Sequence, residues 1–290
     1  MAIVNTNLNS SVLIGLANLR HTETDIQSSI EKLSSGLRIV RASDDPSGLA
    51  IANKLEAQIR GLRSATLNAE QASSLVQTAY SVLDETNEIL LRMRDLALKV
   101  MNQATLTTAD IATLDTEFDS LRDEITRKGT AATFNNLNIL DGTFAGGRIA
   151  QVGPTGNSYD QLSIIIESMV ADTIANATND LAGVQLTSDG VNSAMGHAAS
   201  ALSVLDTSIT YLTNVQTSLG VQEYRLNSIV NDLSAQEINT LAAKSRITDL
   251  DMAAEISHFA KLQILSQAGT AVLAQSNNIQ QRLVNILDEL

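Results

Sequence analysis

Apolar and small side chains recur along most of this chain at steps of three and four residues, the spacing of one face of an α-helix. In the first arm they fall at Leu8, Val12, Gly15, Leu19, Ile26, Ile30, Leu33 and Leu37. The stripe runs out near Ser34-Ser35-Gly36, where glycine can take the left-handed conformation that closes a helix. Ile39 and Val40 read as a short extended connector. Asp45-Pro46 then opens a second helix: the carboxylate accepts from first-turn N–H groups, and proline has no N–H to lose there. From Ala65 a heptad stripe runs through Ala69, Ala72, Val76, Ala79, Leu83, Thr86, Leu90, Met93, Ala97 and Val100. It predicts a helix to about Asn102, on the order of 85 Å long. The neighbouring column of Leu75, Val82, Ile89 and Leu96 is apolar too, and so wide a face needs more than one partner helix.

A third helix is predicted from Thr107 or Thr108 to Gly129, with Ile111, Leu114, Phe118, Leu121 and Ile125 as its stripe. The glycine-rich stretch that follows holds the β-like territory, at about 134–170. Arg148–Val152 and Leu162–Ile166 read as strands, joined through a Gly153-Pro154-Thr155-Gly156 turn. Helical spacing returns near Val191, with Leu205, Leu212, Leu219, Leu226 and Leu233 one heptad apart. This face is the expected partner of the Ala65–Val100 stripe. The last arm, from about Leu250, is again helix-periodic. The fold class is therefore mainly α: a long antiparallel bundle or coiled coil with a small β-hairpin region and paired N- and C-terminal arms. Residues 1–43 with 247–290 form the arms and 44–246 form the bundle, with only a short stretch between the Leu162–Ile166 strand and the returning helix.

Composition narrows the function. Cysteine is absent, which excludes disulfides, thiolate metal sites and a cysteine nucleophile. A net charge of −13 argues against a nucleic-acid surface. Met1–Leu19 and Leu262–Gln281 carry no charge, but both are interrupted by Asn or Gln, whose amides are costly in lipid. No membrane segment and no cleaved signal peptide is expected. His21, His197 and His258 share no metal-ligand spacing, and the glycines of 142–156 lack the lysine of a phosphate loop. Helix capping explains Asp44-Asp45 better than a paired-carboxylate site does. No catalytic residue, cofactor or metal is assigned.

What remains is an architecture for interaction. The stretch Glu31–Ala52 is the joint between two helical layers, with Leu33, Gly36, Arg38, Arg41, Asp44, Asp45 and Gly48 as its key positions. Arg38 and Arg41 are expected to fix the turn against acidic neighbours. Leu8, Val12, Leu19, Ile264, Leu265, Ala268, Ala271, Leu273 and Ala274 are expected to pack the arms, with Ala268, Ala271 and Ala274 as a small-residue stripe. The charge-poor faces of these arms make sense if they are buried against other copies, in which case the arms fold only on assembly.

These residues resemble bacterial flagellin. EKLSSGLRIVRASDDPSGLAIANKL is similar to the family's LSSGLRI…DD..GLAIA signature, LLRMRDLAL to its RVRELAV segment and TFNNLNILDG to its QFNG..LL turn. KSRITDLDMAAEIS and LQILSQAGTAVLAQSNNIQQ match its C-terminal blocks. The resemblance implies a subunit that self-assembles into the extracellular flagellar filament used for swimming. It also implies export through the flagellar type III apparatus, an export chaperone, and cap and junction proteins as partners. It further implies recognition by host innate immune receptors: Glu31–Ala52 by those of plants, and Arg92, Asp95, Leu96 and Glu117 by a vertebrate Toll-like receptor. The alternatives are a hook–filament junction protein and a non-flagellar coiled-coil scaffold. An enzyme is not expected.

Overall fold

A computed structural model describes residues 10–174, 181–186 and 191–288. Among them are five α-helices: α1 (Ser10–Ser35), α2 (Pro46–Met101), α3 (Thr108–Ala131), α4 (Val191–Thr248) and α5 (Met252–Asp288). Four short strands lie between α3 and α4: β1 (Thr133–Phe134), β2 (Leu137–Asn138), β3 (Arg148–Gln151) and β4 (Gln161–Ile164). The chain divides into two compact units, one of residues 1–58 with 239–290 and one of residues 59–238. The sequence places its boundaries at 43/44 and 246/247, at the joint. The compact units instead divide inside α2 and α4, because the first turns of α2 and the last turns of α4 pack with the arms.

In the unit 59–238 the heptad stripe of α2 is the core. Ala69, Val76, Ala79, Leu83, Leu90, Met93, Ala97 and Val100 are buried with Leu205, Leu212, Leu219 and Leu226 of α4 and with Ile111, Phe118 and Ile125 of α3. Thr86 and Ser208 sit among them without cost, since each hydroxyl donates to the carbonyl four residues earlier, at 2.8 Å. Arg63 pairs with Glu237 (2.6 Å), Gln77 donates to Glu223 (2.7 Å) and Arg94 pairs with Asp206 (2.9 Å). As the residue number rises on α2 it falls equally on α4, so the two helices run antiparallel in one register. Arg92 with Glu117, and Lys128 with Glu85, tie α3 to the flank of α2. The wide apolar face of α2 thus meets two helices.

Helix α3 begins at a capping box in which Thr107 and Asp110 satisfy each other's backbone N–H groups. It runs on to Ala131, past Gly129, where the sequence reading ends it. Gly129 is buried within the helix because a Cβ there would lie 2.7 Å from the carbonyl oxygen of Met169. Its glycine serves close approach, not termination.

Strands β3 and β4 pair antiparallel, Arg148 opposite Ile164 and Gln151 opposite Gln161, overlapping the two segments the sequence marks as strands. The β1–β2 hairpin turns on Asn135 and Asn136, both at positive φ. The β3–β4 hairpin is seated by its neighbours. Asn68 of α2 donates to the Gln151 carbonyl (3.1 Å), and the missing side chain of Gly61 makes room for Pro154. Gln222 of α4, buried, accepts from the Ile165 N–H (3.0 Å) and donates to the Ile165 carbonyl (2.9 Å), extending the ladder with a side-chain amide.

Candidate functional site

The unit 1–58 with 239–290 contains the place where both halves of the chain change direction, and the two crossings are bonded to each other. Helix α1 stops at Gly36, whose φ of 70° lets its N–H return to the Lys32 carbonyl at 2.9 Å. Helix α4 stops at Thr248. Leu37 and Asp249 then form an antiparallel bridge: the Arg38 N–H donates to the Thr248 carbonyl (2.7 Å) and the Leu250 N–H to the Gly36 carbonyl (3.0 Å). The Thr248 carbonyl is one of those a helix end leaves without a partner.

Arg38 closes the same end. Its Nε and Nη2 both reach the Ile247 carbonyl, at 3.2 and 2.6 Å. The guanidinium caps α4 where the helix dipole favours a cation. The acidic neighbour expected for Arg38 is replaced by this carbonyl, since an unsatisfied helix end is the nearer acceptor. Arg41 does meet an acid, Glu31, but both side chains are exposed, and such pairs contribute little.

The two aspartates divide the work expected of both as caps. Asp45 caps α2, accepting from the Gly48 N–H at 2.8 Å. Asp44 closes the connector: its Oδ2 accepts from the Arg41 N–H (2.9 Å) and the Val40 N–H (3.0 Å). The Arg41 N–H is the largest cause of a pKa held below the ordinary Asp value, aided by the Val40 N–H and the charges of Lys32 and Arg41 and opposed by desolvation. Gly48 is required by contact. A Cβ there would sit 2.3 Å from Asp45 Oδ2 and 2.8 Å from Cδ1 of Ile39, a buried residue of the connector. Leu33, half-buried, lies on the α1 face turned toward α5.

Several joint residues lie on the C-terminal crossing, which sequence reasoning left without roles. Asp251 caps α5 by accepting from Ala253 (3.0 Å) and Ala254 (3.1 Å). The hydroxyl of Thr248, itself buried, reaches Lys244 O (3.1 Å) and Asp249 Oδ1 (3.0 Å). Lys244 pairs with Glu56 at 2.8 Å. An Asp ahead of an apolar run is a readable cap signal; the pairing of Leu37 with Asp249 has no local signature.

From the joint, α1 and α5 run back antiparallel. Val12, Gly15, Leu19, Thr22, Ile26, Ser29 and Leu33 face Glu255, Phe259, Leu262, Ser266, Gly269, Leu273 and Ser276, all partly or fully buried. Val12, Leu19 and Leu273 therefore lie in the seam. Within the subunit Ile264, Leu265, Ala268, Ala271 and Ala274 do not: all are exposed, because the α5 heptad turns Gly269, not the alanines, toward α1. Leu8 lies outside the described residues. Of the receptor positions, Arg92 and Glu117 pair at the surface of α2 and α3 and Asp95 is exposed, whereas Leu96 is wholly buried core.

Among the described residues there is no group of three or more metal-ligating side chains and no helix long and apolar enough to cross a membrane. The charged groups at the joint hold backbone. A chain of long helices whose two ends pair and whose turns are clamped together is a structural subunit built for packing. The comparisons make the class specific. Residues 4–145 match the bacterial flagellin N-terminal helical region and residues 202–287 the bacterial flagellin C-terminal helical region. The chain is 37% identical over 302 residues to a flagellin of Bacillus subtilis, covering 97% of this chain and 99% of that one. It is 35% identical over 288 residues to the flagellin FlaB2 of Treponema pallidum, with 97% and 99% covered. Its fold is similar to that of a Vibrio parahaemolyticus protein described as hook-associated, at 18% identity and a TM-score of 0.59, over 71% of this chain and 100% of the other. The chain belongs to the bacterial flagellin family, a family of structural proteins, and is a structural subunit of the flagellar filament, into which it self-polymerises.

Proposed function

We propose that the clamped joint is what lets one chain serve two layers of the filament. The arms 1–43 and 247–290 supply the inner layer, and 44–246, with no outer domain and no catalytic activity, supply the layer around it. The observation that carries this reading is the reciprocal backbone bonding of the crossings, Arg38 to Thr248 and Leu250 to Gly36. The open faces of the arms support it. Ile14, Ile264 and Val272 are 60%, 65% and 67% exposed on the arm helices, so water is a poor environment for them and other copies of the arms a good one. In this reading the arms are loose in the free subunit and ordered in the polymer. Limited proteolysis tests it: cleavage falls within 1–43 and 247–290 in monomer and is suppressed in filaments. Arms as resistant in monomer as residues 59–238 would overturn it.

The same loose arms suit export through the flagellar type III apparatus without a cleaved signal peptide, with a chaperone holding the C-terminal arm until a cap protein guides assembly. Loss of chaperone binding on truncation after residue 250, with binding kept when the N-terminal arm is removed, is the expected result. A host receptor would meet Arg92, Asp95 and Glu117 on the free subunit but not Leu96, which is core. A Toll-like receptor reporter assay with monomer should lose signal on Arg92→Ala and keep it on a volume-conserving Leu96→Met.

A further inference from the structure

We infer that the register of the arm pair is set by size-matched seats and one polar contact along the α1–α5 seam. Gly15 lies under Leu273: a Cβ on Gly15 would be 3.1 Å from Leu273 Cδ2. One layer on, the roles reverse, and a Cβ on Gly269 would be 3.4 Å from Leu19 Cδ1. Toward the joint the buried Ser29 hydroxyl donates to the Glu255 carboxylate, which is itself largely covered. A large residue meets glycine twice, in opposite senses, and a carboxylate in the seam meets its only partner on α1. Spacing makes this a code. Sliding α5 by one heptad moves a leucine off its glycine and onto a larger side chain in either direction: Leu19 meets Leu262 one way and Leu273 meets Thr22 the other, which overfills a layer. The same slides carry Glu255 onto Ile26 or past the end of α1, where Ser29 cannot reach it. A single polar contact at a seam position is a known device for choosing one register. Parallel pairing fails for the same reason, because the two glycines cannot both meet leucines. The inference rests on arm pairing in the polymer and adds which residues choose its alignment.

The chain has no cysteine, so a single engineered pair reports the register cleanly. Thr22→Cys with Ser266→Cys places thiols in the layer between the two seats, to be joined in assembled filaments by a short bifunctional thiol reagent. The parent pair should cross-link within one chain. Adding Gly15→Leu should reduce that yield about tenfold, the weight of one overfilled layer, or block assembly. Adding Leu273→Gly as well moves the seat to the other helix and should restore both yield and assembly, whereas Leu262→Gly in its place should not. An unchanged yield with Gly15→Leu, or a swapped pair no better than the single substitution, would overturn the inference. A parent pair that never cross-links would instead remove the arm pairing itself.

Discussion

Asp44 and Asp45 are adjacent, alike and differently employed, and the difference is set by what each carboxylate can reach. Asp45 faces the first turn of α2, while Asp44 faces back to the N–H groups of Val40 and Arg41. The sequence shows two aspartates before a proline; which one caps depends on the path of 39–44, and that path depends on Ile39 being buried and Gly48 leaving space for it. A pH dependence follows. The folded pKa of Asp44 is depressed, so its contribution is complete above the ordinary Asp value, about 4, and is lost as pH falls through its own lower value. Protection of the Val40 and Arg41 amides against exchange, relative to the unstructured rate at each pH, should therefore persist down to the ordinary carboxylate range and fall below it. Asp44→Asn should accelerate exchange at neutral pH and flatten the dependence. The same profile in both proteins would show that the carboxylate does not hold the connector.

At the scale of elements, the long helices were legible because each carries many repeats of one spacing, and α2 and α3 also have a readable cap at their start. The β3–β4 hairpin was legible from two short strand-like runs on either side of a Gly-Pro turn. The β1–β2 hairpin was not, since two-residue strands have no alternation to read, and only the Asn135-Asn136 pair hints at a turn with positive φ. The alanines of α5 lie off the seam with α1 because apolar residues line more than one face of the helix, and periodicity alone does not say which face meets α1. How the hairpin is held was also hidden, because Gln222 reads as one more polar residue on a helix. Its amide satisfies both backbone groups of Ile165, so Gln222→Leu should cost about 2 kcal/mol, the penalty for leaving those groups without partners. Urea unfolding followed by circular dichroism measures this. A midpoint unchanged from the parent would mean that water replaces the amide at no cost.

At the scale of the whole molecule, an acidic chain must pack against copies of itself. The subunit carries a net charge of −13, of which −11 falls on residues 59–238 and −2 on residues 1–58 with 239–290. Repulsion therefore acts between the charged surfaces of residues 59–238 more than between the arms. Raising salt from about 0.01 M to about 0.15 M shortens the screening length from about 30 Å to about 8 Å. The critical concentration for polymerisation, read by light scattering, should fall over that range. A critical concentration that rises with salt would point instead to assembly driven by pairing of opposite charges.

The account depends most on the joint, where Arg38 spans from the first crossing to the end of α4. The thermal depolymerisation midpoint of filaments, compared among parent, Arg38→Ala and Arg41→Ala, tests it most directly. Losing a charge-assisted cap should lower the Arg38→Ala midpoint by several degrees, an effect of about 1–2 kcal/mol per subunit, while Arg41→Ala, which removes only an exposed ion pair, should stay close to the parent. An Arg38→Ala filament as stable as the parent would contradict the claim that the bonded crossings hold the subunit in its assembled form.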